Sequence, residues 1–416
     1  MKESSISKWY NSKAAIRIWV FLILLSVLVF FMGFQGVLGN IIPEMDILKF
    51  ISAKKASAFV RELIFRSSKY VTIDLIFIGL GLWGIYFAVK RGLYSVLTVL
   101  KPANKNDFVG SVYERLKLTR GPKVTVIGGS SGIMQVVLGL KKYTNNINAV
   151  ILPTEKNIRS ALVALSDTKT LNKLLSYKFE SSKLDEFNFG DLFVEAMKEV
   201  TGNTVNALNE SANVFSLSGK IYPLTKEPVL PEYYTLAGKR IISEQVLIKK
   251  KLKVAAVKLQ KENYRVNEKA LEIIRNSDAV IIGPGGLYTD LLPALLVKGV
   301  PEALFGSRGI KIFVLNMMAR QYEPGQHTAS EQLQKILHYA GEPVIDVVLT
   351  NKNGIPEEAL LKYRIDKDAE IIIDEDAMRE LEIKISKRSM LKLTEDGLVR
   401  HDPQALGRAL IKLISI

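Results

Sequence analysis

Two glycine-rich turns hold the residues best suited to chemistry. The first, Gly128-Gly129-Ser130-Ser131-Gly132, follows the β-branched run at 123–127, and beyond it apolar residues recur at helical spacing: Met134, Val137, Leu138 and Leu140. The second, Gly283-Pro284-Gly285-Gly286, follows an apolar run at 278–282 and opens into a helix near Leu287. A strand, a glycine turn and a helix in succession aim backbone N–H groups and the positive end of a helix dipole at an anion. Glycine permits close backbone approach, and the hydroxyls of Ser130 and Ser131 add donors for phosphate oxygens. The chemistry indicated is phosphate binding; the competing reading is tight packing of ordinary α/β turns. The first turn matches neither the dinucleotide fingerprint nor a Walker loop.

Other side chains are candidates by position. Arg159 lies near the start of a helical segment at 157–167, where its planar fork can face anionic oxygens or simply be solvated. Tyr288 and Thr289 sit at the mouth of the second turn's helix, placed either to meet a base and a phosphate or to satisfy the helix start. His327, in the loop 319–328, suits acid–base work or plain polar surface. His338 and His401 have no metal-ligand spacing, and no zinc or EF-hand pattern occurs. With no cysteine, thiolate nucleophiles, thiolate metal sites and disulfides are excluded.

The elements that must position these residues read as an α/β fold: a Rossmann-like open parallel sheet with helices on both faces. Runs at 147–152, 311–317 (ending at Asn316) and 344–349 supply further strands. In such a sheet both glycine turns lie at the carboxyl ends of strands, where ligands settle at the topological switch point. Residues 168–217 read as helical. Residues 219–258 read as a β-rich hairpin elaboration or lid outside the central sheet. The expected domain spans 123–353, with a small α/β extension over 354–416 that includes a strand at 370–374 and a final helix at 403–414.

The first hundred residues differ in kind. Residues 18–38 carry no charge and 71–89 carry one, Asp74, near the start. Each is close to the roughly 20 apolar residues that cross a bilayer core. The expectation is a transmembrane helical hairpin over 1–101, with Asp74 at the interface and a polar linker over 102–122. The loop segment 47–65 reads as a lipid-lying amphipathic helix or a solvated one. Basic residues flank both spans and also fill the loop, so the positive-inside bias is weak. Two spans leave both termini on one side, taken as cytoplasmic. The chain's 57 Lys and Arg against 42 Asp and Glu give a net charge of +15, which suits an anionic partner.

The blocks KVTVIGGSSG, NIRSALVALSD, SDAVIIGPGGLYTDLLPALLVKG and NMMARQYEPGQHTAS resemble the CofD-like family, in particular its YvcK-type branch of UDP-N-acetylglucosamine-binding gluconeogenesis factors. The similarity runs with gaps from about residue 123 to the C-terminus, and some members of that branch carry two N-terminal spans. The resemblance implies a Rossmann-like domain binding a uridine diphospho-sugar between the two glycine turns. It also implies a link to cell shape, cell-wall precursors and growth on gluconeogenic carbon. It adds Asn157, Asn316 and Thr328 to the expected ligand-binding set. The transferase relatives pass a phosphorylated lactate group to a deazaflavin with a divalent metal.

Departures from the family pattern bear on that chemistry. The first turn reads GGSSG where the family has GGGTG. The acidic Asp-Asp-Gly-Gly stretch after the second strand is absent, since Leu152 runs into Pro153-Thr154-Glu155. The family's Asp stands as Asn157, and its Asn after the arginine as Ser160. Without those carboxylates the hard-oxygen ligands for Mg²⁺ are missing. The expectation is a membrane-anchored, cytosol-facing regulatory protein that binds a UDP-sugar or related phosphorylated molecule. It contacts membrane lipid, uses no cofactor, binds no nucleic acid and is compatible with a homo-oligomer. The alternatives are a Mg²⁺-dependent phospho-group transferase, with Asp191 or Asp290 replacing the lost acids, and a non-binding membrane scaffold.

Overall fold

The computed structural model describes residues 16–41, 71–100, 118–166, 168–179, 187–215, 217–323, 327–341, 343–364 and 368–415. The expected amphipathic segment 47–65 and most of the linker 102–122 lie outside them. The chain divides into two compact units, Met1–Tyr113 and Glu114–Ile416.

In the first unit, helices α1 (Ile16–Ile41) and α2 (Val71–Leu100) each contain a stretch long and apolar enough to cross a membrane, Ile18–Val37 and Val71–Gly92. They pack through small residues. A side chain on Gly36 would overlap the Asp74 carboxylate, and one on Gly81 would press on Phe30. Such small-residue contacts let helix backbones approach closely. Asp74 is buried against Gly36.

The second unit is built on a seven-stranded sheet: β1 (Val124–Ile127), β2 (Ile147–Ile151), β3 (Lys220–Pro223), β7 (Ala279–Ile282), β8 (Ile310–Val314), β10 (Val347–Asn351) and β12 (Lys384–Arg388). The order is β12-β10-β8-β7-β1-β2-β3, and every pairing is parallel. This is the Rossmann-like arrangement expected from the sequence. Parallel strands covered on both faces must be apolar throughout, and all four residues of β1 and all four of β7 are buried. Their alternation feeds two separate cores. Ala279 and Ile281 join the cluster under helices α3 (Ser130–Leu140) and α4 (Glu155–Leu165), while Val280 and Ile282 join the cluster on the opposite face.

The 219–258 region divides. Lys220–Pro223 pairs in parallel with β2 and closes one edge of the central sheet, which corrects its placement outside that sheet. Its proline sits at the strand end on an edge, where a missing N–H costs no ladder bond. The remainder forms a separate antiparallel sheet of β4 (Pro231–Thr235), β5 (Arg240–Ile241) and β6 (Val254–Leu259), with the short helix Glu244–Lys249 between β5 and β6.

The last sixty residues complete the domain. Strand β12 forms the other edge, and the final helix Pro403–Ile414 lies on α3 where Gly139 meets Gly407 backbone to backbone. The strand expected at 370–374 is only β11 (Ala369–Glu370), paired with β9 (Met318–Ala319). A short antiparallel pair, β13 (Leu391–Leu393) and β14 (Val399–His401), precedes the final helix.

Candidate functional site

Strands β1 and β7 are neighbours in register from Val124↔Ala279 to Ile127↔Ile282, so both glycine turns leave the sheet side by side. This is the point where strand order reverses, with β2 and β3 to one side and β7 onward to the other. The Gly283 N–H donates to the Ile127 carbonyl at 2.8 Å, and a Cβ on Gly128 would lie 3.5 Å from Gly283 Cα. Gly132 admits no side chain, because its Cβ would fall on the Pro284 carbonyl. Gly129 caps α3 without any side-chain hydrogen bond, and a Cβ there would overlap the Asp290 carboxylate.

The second turn is held from β8. Asn316 Nδ2 donates to the Gly285 carbonyl at 2.6 Å, and Gly285 N–H donates to Asn316 Oδ1 at 3.2 Å. This amide clamp fixes both hydrogen-bonding groups of one peptide residue. After the turn the chain winds as a π-helical segment, Leu287–Leu291, before becoming α-helical, and all five of its residues are buried. The wider winding places Thr289 and Asp290 on the cavity while Tyr288 enters the core.

The cavity, about 360 Å³, lies over these turns. Gly132, Pro284, Gly285 and Gly286 form its turn side, and Asn316, Arg320 and Glu323 come from the segment after β8. Lys156 and the short helix 244–249, through Glu244 and Ile248, add another wall, and Arg400 with His401 close the far side. A second hollow of about 700 Å³ opens near the amino ends of β1, β2 and β3 and holds none of the expected ligand-binding residues.

Its electrostatics are unusual for an anion site. Asp290 is buried, accepts from the Gly286 N–H at 3.0 Å, and has its carboxyl pushed up to about 6. Burial is the main cause; Lys156 opposes it and Glu244 reinforces it. Glu323 is 2% exposed, accepts from Tyr288 N–H at 3.2 Å, and is pushed up to about 8 by burial, against the Tyr288 hydrogen bond, with a further upward push from Asp290. Arg320 is held by Asp368 at 2.8 Å, and Lys156 meets Glu244 at 3.3 Å. His401 is buried, donates from Nε2 to the Leu315 carbonyl at 3.2 Å, and is driven down to about 4 by burial, so its ring is neutral at ordinary pH. With Asp290 and Glu323 protonated the cavity carries a net positive charge; with both ionised it does not.

Of the residues expected at the ligand, the structure gathers Gly128, Gly129, Gly132, Gly283, Gly285, Gly286, Thr289 and Asn316 at this crest; Ser130 and Ser131 open α3 beside them. Four expected residues stand away from the cavity. Tyr288 is packed in the core. Arg159 is ion-paired with Asp191, and its stem covers Gly190. Asn157 is buried in α4, donating to the Leu152 carbonyl at 3.4 Å, with its Oδ1 unpartnered among the described residues. Thr328 caps the helix Ala329–Ala340 in a capping box with Glu331. Lys156, Glu244, Arg320, Glu323 and His401 were not singled out as ligand contacts from sequence, because nothing in their local composition marks them; of these, Arg320 and Glu323 lie inside a quoted block, NMMARQYEPGQHTAS.

A divalent ion does not fit this donor set. Among the described residues no three acidic or histidine side chains come together, and the two acids at the turn are both held toward their neutral forms. Asp191, a candidate replacement ligand, is committed to Arg159 and Asn188.

Residues 124–391 match the family profile described as 2-phospho-L-lactate transferase CofD. The chain belongs to this family. The match begins at the first residue of β1 and takes in both glycine turns, Asn316 and Glu323. The chain's relatives include proteins that carry the gluconeogenesis-factor name. One, from Clostridium acetobutylicum, is 30% identical over 83% of this chain and 82% of its own length. Another, from a Nostoc species, is 28% identical over 97% and 92%. A solved structure of a UPF0052-family protein from Bacillus halodurans superposes with a TM-score of 0.66 at 28% identity, covering 69% of this chain and 98% of that one. This CofD-family chain is therefore allied with the gluconeogenesis factors.

Proposed function

We propose that the protein is a membrane-anchored regulator whose sheet domain faces the cytoplasm and binds a nucleotide diphospho-sugar of the UDP-N-acetylglucosamine type. In this reading it couples precursor supply to cell shape and central carbon metabolism. The observation that carries the binding reading is the meeting of two glycine turns over one cavity at the sheet's switch point. The first turn and the start of α3 offer backbone N–H groups to the phosphates, with Lys156 and Arg320 as nearby cations. Thr289 and the cavity's polar walls meet the remainder of the ligand. The cavity volume falls in the range typical of small-molecule sites, about 300–1,000 Å³.

Support for the anchor comes from α1 and α2. Phe21, Leu24, Trp83 and Tyr86 are each more than 60% exposed, an apolar surface that water does not favour and lipid does.

The test is a thermal melt of residues 114–416 with UDP-N-acetylglucosamine. That fragment is one compact unit, and the Bacillus halodurans protein, which aligns to 69% of this chain over 98% of its own, crystallises without further sequence. Ligand at 100 times its dissociation constant stabilises by about 2.7 kcal/mol, a readily measured shift. An unchanged melting temperature at millimolar ligand overturns the binding reading. The transferase alternative requires metal-dependent turnover, which the donor set at the turns does not support.

A further inference from the structure

The antiparallel sheet β5-β4-β6 and its short helix carry a surface that extends outward from the cavity wall at Glu244 and Ile248. Between residues 236 and 261 the sequence holds eight Lys or Arg and one Glu. Several of these cations are engaged nearby: Arg240 with Glu232, Lys258 over the Tyr234 ring, and Lys261 over Tyr264. Lys239, Lys249, Lys250 and Lys253 are exposed around the β4–β5 turn and the end of the helix. One hydrogen bond ties the β4–β5 turn to the segment after the helix: Leu236 N–H donates to the Lys253 carbonyl at 2.9 Å.

Large aliphatic side chains stand exposed on the same two segments. Leu236 is 63% exposed, Ile242 51%, Ile248 41% and Val246 37%. Burying these side chains would be favourable, yet no described residue of the second unit covers them. Lysines alternating with aliphatic side chains suit an anionic lipid surface: the cations meet the headgroup charge and the aliphatic groups enter the headgroup–acyl boundary. The four exposed apolar side chains include no aromatic ring, so the patch lacks the stacking platforms that single-stranded nucleic acid needs.

We propose that this face, formed by the β4–β5 turn and the helix Glu244–Lys249, docks on an anionic lipid surface. The proposal draws on the anchor reading only for proximity, since two spans would keep the domain beside a bilayer at high effective concentration. Glu244 and Ile248 also line the cavity, so docking brings the cavity wall to the membrane.

Vesicle flotation of residues 114–416, which lack both apolar helices, separates this proposal from the anchor and ligand readings. The expected result is at least about tenfold stronger partitioning onto phosphatidylserine–phosphatidylcholine vesicles (about 1:2) than onto phosphatidylcholine alone, weakened by salt. Substituting Lys239→Glu, Lys249→Glu and Lys250→Glu together is expected to abolish the preference. Leu236→Ser with Ile242→Ser is expected to weaken binding at constant charge, with circular dichroism confirming the fold of both variants. Equal partitioning onto both vesicles, no partitioning onto either, or displacement by an equimolar single-stranded oligonucleotide would each overturn it, the last reassigning the face to nucleic acid. The ligand-induced melting shift is measured on the same fragment without lipid, so either reading can fail alone.

Discussion

The carboxylate of Asp290 lies against the Cα of Gly129, so closely that a methyl group on the glycine would overlap it. The residue that closes the second turn is thereby seated on the first. Where the sequence points to a bound phosphate, the chain supplies an acid of its own, held by the Gly286 N–H. Gly129→Ala is expected to destabilise by about 1–3 kcal/mol through overpacking. Asp290→Ala should relieve most of that cost, because the obstacle is a side chain. In a double-mutant cycle followed by urea unfolding, a coupling of about 1 kcal/mol or more is the expected result. Additive effects would mean the two residues do not touch.

The same contact makes ligand affinity depend on pH. Asp290 and Glu323 have carboxyl groups raised to about 6 and about 8, and both line the cavity. An anionic ligand favours their protonated forms, so binding takes up protons and affinity falls as pH rises. Calorimetric titration with UDP-N-acetylglucosamine is expected to show a loss of about tenfold or more between about pH 5.5 and 8.5. Asp290→Asn and Glu323→Gln should flatten the profile. A pH-independent constant in the unaltered protein would rule out the linkage.

Stability follows the same sign. The folded-state value for Glu323, about 8, lies above its ordinary value of 4.5. The folded protein therefore holds this proton more tightly than the unfolded chain does. The relative stabilisation is fully present below about pH 4.5 and is lost as pH rises through about 8. The melting temperature of Glu323→Gln is expected to exceed that of the unaltered protein at about pH 9, by an amount worth a few kcal/mol at most, and to converge with it near about pH 5. A difference independent of pH would place the effect in packing.

Which parts of this architecture sequence could reveal has a physical pattern. Val124–Ile127 is a β-branched run and Ala279–Ile282 an apolar one, both stop at glycine, and such runs read directly as buried parallel strands. Lys220–Pro223 read as β but was set outside the central sheet, because nothing in a four-residue strand with a lysine and a proline at its ends marks which sheet it joins. Tyr288 looked like a helix-mouth residue, but the π-helical winding of 287–291 turns it inward, a backbone effect invisible to helical spacing. Glu323 lies in a polar loop, and only folding supplies the burial that perturbs it. Arg159 read as an anion contact because its partner Asp191 is 32 residues away in the chain.

Asn316 is expected to be the most sensitive polar position at the crest. It makes two hydrogen bonds to Gly285, at 2.6 and 3.2 Å, in a partly buried setting. Asn316→Ala leaves a peptide N–H and carbonyl without their partners, a cost of about 2–3 kcal/mol. Asn316→Asp keeps the acceptor but sets a carboxylate oxygen against the Gly285 carbonyl. Both variants should unfold at lower urea and lose the ligand-induced melting shift. Retention of that shift in Asn316→Ala would show that the second turn keeps its shape without the clamp.

The two arginines separate a structural role from a ligand role. Arg159 pairs with Asp191 outside the cavity lining, and Arg320 lines the cavity while held by Asp368. Removing Arg159 strands a largely buried carboxylate whose Oδ1 has no hydrogen-bond partner among the described residues, so Arg159→Ala should lower stability by about 1–3 kcal/mol. Its ligand dissociation constant should stay within about twofold of the unaltered protein's, since an ion pair away from the ligand contributes little to binding. Arg320→Ala should weaken binding by about tenfold or more, because a charge-assisted hydrogen bond to phosphate is worth about 1.5–3 kcal/mol. Calorimetry on both variants at one pH decides it. The reverse ranking would move the phosphate site from the switch-point cavity to the start of α4.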